Sequence, residues 1–332
     1  GVTDDTAALQ NALNDLQQVK YHHVLYIPSG TYRITSTLNL PQGNAIGLKI
    51  VGEDPATTKI IWDGPVNGSM FFYNPNFASL GRITFDGKSK AGIILEHGPV
   101  FSSWEEYFDL VFKDAEVCME VGKYDKAGIS DSLIIRTTFL RCSLAGVLFG
   151  NSNSLQFQIY DSLFKDNYIG VSNTLFNKSA GAGNFHIYQS VFMNSTLTDT
   201  GIGMAGFFSI RDSISIGSNA FHLSTGTASP AEVTLQRNII IDPKGDISEW
   251  NAYYGGTNCM NLDNTRFAPI CVGNAGTLIL LDNIFRVRKD YTGGIVQYSG
   301  LSTNPTFISI GNTYTTKDWF GKTNSPQQSK LR

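Results

Sequence analysis

The chain has 332 residues, enough to bury a large core by itself, and repeat proteins of this length commonly form one domain. Charged residues make up 16% and aromatic residues 12% of the chain, which also holds 33 glycines; this favours a turn-rich β protein over a helical or disordered one. The net charge of −3 argues against nucleic-acid binding, and no run of about 18 apolar residues predicts a membrane span. We therefore predict a single domain over residues 1–332.

The first segment has the features of a helix. Thr3 to Asp5 supply capping side chains, and apolar residues then recur at helical spacing as far as Leu16. We predict a helical cap within residues 1–20, because the first unit of a repeat stack would otherwise expose its apolar edge. Since the chain begins at Gly1 without a methionine, we also expect residues upstream of it.

A short sequence line then recurs: apolar, any, polar, turn residue, any, aromatic or apolar. Most steps between lines are about 25 residues, the length of a coil with three short strands. The lines end at Phe85, Phe112, Phe139, Phe164, Phe192, Ser215, Ile240, Phe285 and Tyr314. We predict an all-β, right-handed parallel β-helix solenoid with coils over about residues 24–316, a long loop insertion at 242–267 and a tail at 317–332.

Each line contains a polar turn residue at the same place. Residues of these types bond to nearby backbone or tolerate left-handed φ, so they predict a corner of the solenoid. The column comprises Thr137, Ser162, Ser190, Ser213, Asn238, Asn283 and Asn312. The four cysteines contain no CxxC pair, which argues against a zinc site, and a disulfide between Cys118 and Cys142 on neighbouring repeats is conceivable.

Three segments carry a family resemblance. GVTDDTAALQNAL at the start, VLYIPSGTYRIT at 24–35 and ITFDG at 83–87 resemble the N-terminal signature of the pectate-lyase-like right-handed parallel β-helix superfamily. That superfamily includes polysaccharide lyases, glycoside hydrolases, uronan epimerases and phage tailspikes. The resemblance implies a polysaccharide or oligosaccharide substrate, usually acidic, in a groove on one long face. Such a substrate implies an extracellular, periplasmic or cell-surface location.

The resemblance transfers no catalytic residue. The paired-Asp strand and Gly-His-Gly pattern of polygalacturonases is not found, and no arginine stands in the context that pectate lyases use. Candidate residues must therefore come from the repeat itself.

The second strand of each coil carries the main catalytic candidates. Alternation predicts that Glu96 and Glu120 face solvent at the same position of consecutive coils, where stacked strands lie about 4.8 Å apart. A carboxyl separation of about 5 Å is what a retaining glycosidase needs. Two exposed acids without a catalytic role, or a cation site, are the alternatives that the sequence leaves open.

The loops that follow these strands add candidates. Trp104 lies in loop 98–107, while Lys123, Tyr124 and Asp125 lie in loop 122–128. Asp125 is a further catalytic candidate, and Trp104, Tyr124 and Lys123 are candidate substrate-binding residues, since sugar rings stack on aromatic side chains. Alternatively, Trp104 could cover the apolar edge of a coil, and Lys123 could be a solvated cation without a binding role.

The remaining candidates lie farther along the chain. His222 is predicted to face outward, three or more coils from Glu120, where it could serve a separate catalytic centre or be passive. The insertion contains Trp250, Tyr254 and Arg266, residue types that contact sugars or acidic glycans. A loop that covers the sheet or a subunit interface is an equal alternative.

These observations favour a carbohydrate-active enzyme that cleaves a polysaccharide, with a glycoside hydrolase slightly ahead. The alternatives are a polysaccharide lyase or uronan epimerase acting on an acidic glycan, and a non-catalytic, tailspike-like glycan-binding protein or adhesin. We expect no cofactor and no dedicated metal site, with calcium left open. The expected partner is a polysaccharide or oligosaccharide, and the protein could be a monomer or a homo-oligomer such as a trimer.

Overall fold

A computed structural model describes residues 1–18, 23–43, 46–98, 100–122, 128–151, 154–175, 178–179, 183–203, 206–224, 231–246, 248, 268–273, 276–288, 291, 294–299 and 306–317. These residues form a parallel β-solenoid that begins with one α-helix, as the repeat predicts.

The helix and strands follow one another in a regular order. They are α1 (Thr6–Gln17), β1 (Val24–Ile27), β2 (Gly30–Ile34), β3 (Leu38–Leu40), β4 (Lys49–Gly52), β5 (Thr58–Trp62), β6 (Ser69–Tyr73), β7 (Ser79–Gly81), β8 (Thr84–His97), β9 (Ser102–Ser103), β10 (Glu106–Phe108), β11 (Val111–Val121), β12 (Ile129–Ser130), β13 (Leu133–Ile135), β14 (Thr138–Phe149), β15 (Phe157–Tyr160), β16 (Leu163–Lys165), β17 (Ile169–Ser172), β18 (Thr174–Leu175), β19 (Lys178–Ser179), β20 (Phe185–Tyr188), β21 (Val191–Met193), β22 (Thr198–Gly201), β23 (Phe207–Arg211), β24 (Ile214–Ile216), β25 (His222–Ser224), β26 (Glu232–Gln236), β27 (Ile239–Ile241), β28 (Ile270–Gly273), β29 (Thr277–Leu281), β30 (Ile284–Arg288), β31 (Val296–Ser299), β32 (Thr306–Ile310) and β33 (Thr313–Lys317).

The strands of successive coils pair in parallel to form long sheets. The first strand of each coil belongs to an eleven-stranded sheet, here called the front sheet, in the order β1-β4-β7-β10-β13-β15-β20-β23-β26-β29-β32. The second and third strands form the other two faces, and the long strands β8, β11 and β14 bend across both of them. Each coil therefore has three faces that enclose one core.

A ladder of phenylalanine rings fills one side of this core. The last residues of the repeated lines lie in register, and the centroids of neighbouring rings are 5.5, 5.5, 4.8 and 4.8 Å apart along the ladder. The ladder comprises Phe85, Phe112, Phe139, Phe164 and Phe192, and Ser215 is paired with Phe192 as the next residue. The repeat thus identifies a continuous core column directly from the sequence.

The polar turn residues form a second internal ladder. From Thr137 to Asn283, each backbone N–H donates to the side-chain oxygen of the corresponding residue in the next coil, at 2.9–3.2 Å. The left-handed φ belongs to the residue before each of them, for example Arg136 and Asp161. The column therefore lies inside a corner as predicted, and it satisfies backbone donors that the sharp bend leaves without a strand partner.

The helix α1 covers the first coil. Leu9, Leu13 and Leu16 are buried, and the first two of them line an interior space together with core residues such as Phe71 and Phe85. Asp4 accepts hydrogen bonds from the Thr6 backbone and from Thr35, which fixes the helix start to the end of β2. The predicted cap is confirmed. The described part of the chain contains no helix with the length and apolarity needed to cross a membrane.

A disulfide joins two consecutive coils in the core. Cys118 and Cys142 are fully buried and bonded, with their Cα atoms 5.8 Å apart. Next to them the register shifts between Ala115 and Val117, and Val117 packs in a small cluster separate from the main core. Met119, two residues later, lies in the main core, so the side chains of this strand do not alternate regularly here.

Candidate functional site

Two glutamates lie side by side on the face formed by the third strand of each coil. Glu120 of β11 pairs directly with Glu96 of β8, while Phe72 lies before them and Leu148 after them in the same column. Adjacent parallel strands lie about 4.8 Å apart, so the two carboxyl groups extend from neighbouring backbone positions on the same side. This juxtaposition is the one that the repeat predicts.

The surroundings of the two glutamates differ. Glu96 is only 8% exposed and accepts a hydrogen bond from the Ser69 hydroxyl, whereas Glu120 is partly exposed. The prediction that Glu96 faces open solvent is therefore wrong, because residues of the preceding coil pack beside it. The pair combines one sheltered, hydrogen-bonded carboxyl group with a second that belongs to a partly exposed residue, although its Oε2 atom is buried.

A buried polar cluster lies behind this pair, and none of its residues is predicted as a site residue from the sequence. His97 Nδ1 is 2.5 Å from the backbone oxygen of Glu120, so it donates to that carbonyl. His97 Nε2 lies 2.5 Å from the Tyr107 hydroxyl and 3.1 Å from Glu105, and Tyr107 donates to the Glu105 carboxylate. Burial, followed by the negative charge of Glu105, raises the pKa of both Tyr107 and Tyr73 well above the ordinary value.

The cluster links the interior to the carboxyl pair through one hydrogen bond to the backbone of Glu120. All its side chains are fully or almost fully buried. Its only sequence signal is a histidine directly after Glu96 and two polar residues close together at 105 and 107, which alternation alone does not connect.

His222 does not face solvent, so the prediction that it faces outward is wrong. It pairs with Thr200 and Ile270, is fully buried, and stacks on Phe208 with ring centroids 5.0 Å apart. Its Nδ1 lies 2.9 Å from the Thr200 hydroxyl, and burial lowers its pKa to about 3. His222 is consequently a neutral core residue.

A buried carboxyl group interrupts the phenylalanine ladder. Asp199 is fully buried and accepts a hydrogen bond of 2.5 Å from Ser215, which occupies the next ladder position after Phe192. In the preceding coil the corresponding place is taken by Gly170, where an added Cβ would lie 3.0 Å from the Phe192 ring. Gly170 packs against Phe192, and at the equivalent positions of the next coil Asp199 packs against Ser215.

Trp104 is the one predicted substrate-binding residue that the structure describes. It is 61% exposed at a corner between β9 and β10. The other predictions lie outside the described residues, as does most of the 242–267 insertion: Lys123, Tyr124, Asp125, Trp250, Tyr254 and Arg266. Among the residues that are described, no group of three or more His, Cys, Asp and Glu side chains could hold a metal ion.

Comparison with known proteins finds the same fold in several solved structures. DFA-IIIase from Arthrobacter chlorophenolicus A6, in complex with GF2, is 11% identical, with a TM-score of 0.67 over 95% of this chain and 82% of its own. The tailspike protein of Acinetobacter phage vB_ApiP_P1 is 13% identical, with a TM-score of 0.63 over 96% of this chain and 57% of its own. PfbA, a surface adhesin of Streptococcus pneumoniae, is 11% identical, with a TM-score of 0.53 over 95% of this chain and 91% of its own.

These structures share the fold with the chain. The chain spans between 57% and 66% of the length of several structures that it matches, the tailspike among them. No curated protein sequence matches it. A family model described as rhamnogalacturonase A/epimerase, pectate lyase-like, matches residues 1–216, and the chain therefore belongs to that family.

Proposed function

We propose that the protein is a carbohydrate-active enzyme that hydrolyses a polysaccharide at Glu96 and Glu120. The observation that carries the proposal is the direct pairing of these residues on adjacent coils. Two carboxyl groups about 5 Å apart suit hydrolysis with retention of configuration, in which one acts as nucleophile and the other as acid and base. Membership of a family named for a rhamnogalacturonase and an epimerase supports a glycan substrate.

The surroundings of the two residues assign their roles. Glu96 is the nucleophile in this proposal, because the Ser69 hydroxyl stabilises a negative carboxylate there. Glu120 is more exposed and donates a proton to the glycosidic oxygen while Glu96 bonds to the anomeric carbon. Glu120 then takes a proton from water, which displaces Glu96 and releases the sugar. His97 positions Glu120 by holding its backbone carbonyl.

Lyase or epimerase chemistry on an acidic glycan is a weaker candidate. Both reactions begin when a base removes a proton from a uronic acid, and His222 is too deeply buried to act as that base. Glycan binding without cleavage is the second candidate, favoured by the exposure of Trp104. Products separate these functions, since elimination leaves an unsaturated sugar that absorbs near 230 nm, hydrolysis leaves a reducing end, and binding leaves neither.

We further propose an extracellular, periplasmic or cell-surface location. The disulfide between Cys118 and Cys142 supports an oxidising compartment, because such bonds are rare in the cytosol of most organisms. A polysaccharide substrate is consistent with the same location. We propose that cleavage needs no cofactor, since the two carboxyl groups supply both the nucleophile and the acid.

The test is incubation with neutral and uronic-acid polysaccharides, with reducing ends and absorbance near 230 nm followed together. Glu120→Gln and Glu96→Gln should each lower the rate of reducing-end formation by at least about a thousandfold, because each removes one essential carboxyl function. Glu106→Gln is the matched control, since Glu106 is an exposed glutamate on the front sheet. Full activity in Glu120→Gln would refute the assignment, as would absorbance that persists in that variant.

A further inference from the structure

One corner of the solenoid forms a column of left-handed residues. Gly47, Phe77, Trp104, Asp131 and Gln156 all have φ between 52° and 78°. Phe77 N–H donates to the Ser103 oxygen at 2.9 Å, Trp104 N–H to that of Ser130 at 3.1 Å, and Asp131 N–H to that of Leu155 at 3.0 Å. These equivalent bonds show that the residues occupy the same place in successive coils. We call them the corner column.

Two residues in this column are unusual for their backbone conformation. Twenty described non-glycine residues have positive φ, and all except Phe77 and Trp104 are polar or charged. Left-handed backbone favours Gly, Asn and Asp, and is unfavourable for bulky side chains. Local folding therefore gives no reason for an aromatic residue here, yet two occur on adjacent coils. Strained positions of this kind are concentrated at functional sites.

Both aromatic side chains are open to solvent. Phe77 is 48% and Trp104 is 61% exposed; Phe101 in the coil of Trp104 and Ile46 in the coil before Phe77 are exposed as well. Because neighbouring coils lie about 4.8 Å apart, the two exposed aromatic side chains extend from adjacent positions along the solenoid axis. The column then becomes polar, with Asp131 and Gln156 in the next two coils. An apolar platform bordered by hydrogen-bonding groups is a general form of ligand site.

We propose that Phe77 and Trp104 form a stacking platform for the sugar rings of a neutral glycan. The proposal rests on the proposed function for its ligand class and adds a binding site built by the corner column. A sugar ring places its apolar face on an aromatic ring and directs its hydroxyl groups to polar neighbours. Asp131 and Gln156 supply such neighbours. Asp131 is the charged residue of the column, and its negative charge disfavours a uronate on the platform.

The test measures binding in a Glu120→Gln background, so that cleavage does not consume the ligand. The probes are cellohexaose, xylohexaose, mannohexaose and maltohexaose, with hexagalacturonate as the acidic comparison, and the readout is isothermal titration calorimetry. Phe77→Asn and Trp104→Asn are suitable variants because asparagine adopts left-handed backbone readily, so both should fold with an unchanged or higher Tm. Phe207→Asn is the control, since Phe207 is 52% exposed on β23, four strands beyond β10 in the front sheet.

We expect at least one neutral hexasaccharide to bind, with affinity reduced at least tenfold in each corner variant and unchanged in Phe207→Asn. Unchanged binding in the Phe77→Asn/Trp104→Asn double variant would overturn the proposal, as would binding of hexagalacturonate alone or of no probe. Light scattering supplies a further check: an oligomer that the double variant dissociates would identify the surface as an interface between copies of the chain instead. If the protein binds a glycan through the platform but cleaves none, the proposed hydrolysis is refuted and the binding proposal still holds.

Discussion

Replacement of Asp199 by asparagine should make the protein more stable in alkaline solution. Asp199 is fully buried beside Ser215 in the gap of the phenylalanine ladder. Burial raises its pKa from 3.8 to about 7, with the nearby hydroxyl groups of Ser195, Ser215 and Ser218 acting in the opposite direction. An asparagine keeps the size and the hydrogen-bonding oxygen of the side chain but cannot ionise.

The sign and size of the effect follow from proton linkage. Because the pKa is higher in the folded than in the unfolded protein, the stability associated with the bound proton is complete below pH 3.8. It is lost as the pH rises to about 7 and stays lost above that value. The difference between 3.8 and about 7 corresponds to about 4 kcal/mol of unfolding free energy. Asp199→Asn should therefore match the native protein near pH 4 and gain stability progressively up to about pH 7.

Urea unfolding of both proteins between pH 4 and pH 8 measures this difference. Asp161→Asn is the matched control, because Asp161 is exposed in a left-handed corner where asparagine fits equally well. A gain of the same size in the control would show that the effect does not come from the burial of Asp199. Parallel pH profiles for Asp199→Asn and the native protein would refute the reasoning, since they would mean that Asp199 has the same proton affinity in both states.

Three further outcomes follow from the described contacts. Cys118→Ala/Cys142→Ala should lose about 2–4 kcal/mol of unfolding free energy, because the disulfide restricts the unfolded chain; an unchanged urea midpoint under oxidising conditions would contradict this. Phe164→Ala should cost about 3–5 kcal/mol by opening a cavity between the rings of Phe139 and Phe192, whereas a loss below about 1 kcal/mol would show that the ladder is loosely packed. Reducing-end formation should persist after dialysis against EDTA, and activity that returns only with added calcium would assign the ion a role in cleavage.

The sequence predicts the columns of this fold better than the directions of individual side chains. Phe112 and Phe139 recur at one place in the repeat, so their stacking follows from the register of the coils alone. Ser190 and Asn238 likewise identify a corner, because one residue type after another meets the same backbone requirement. Repetition converts a weak local signal into a reliable one.

The prediction of side-chain direction fails where apolar and polar residues do not alternate along a strand. On β25 His222 and its neighbours Leu223 and Ser224 are all buried, so apolar and polar residues do not mark two different faces. Regular alternation also breaks near Val117, which packs outside the main core although Cys118 and Met119 both lie in it. The Glu120 side chain points away from the main core, as predicted, because Met119 and Val121 on either side of it belong to that core.

The buried cluster at the site could not be found from the sequence for a different reason. His97 and Glu105 are separated by a loop and meet across the interior of one coil. No repeat places them together, and their chemical types are equally common on surfaces. Only the three-dimensional path of the chain shows that His97 reaches the backbone of Glu120.

The most direct test of the paired-glutamate account is proton NMR of the sugar that is released first during cleavage. In the proposed mechanism the carboxyl groups of Glu96 and Glu120, which extend from directly paired strand positions, act about 5 Å apart, so the new anomeric centre should keep the configuration of the bond that is cut. Initial release of the opposite anomer would contradict the account, because it requires room for a water molecule between two more widely separated carboxyl groups.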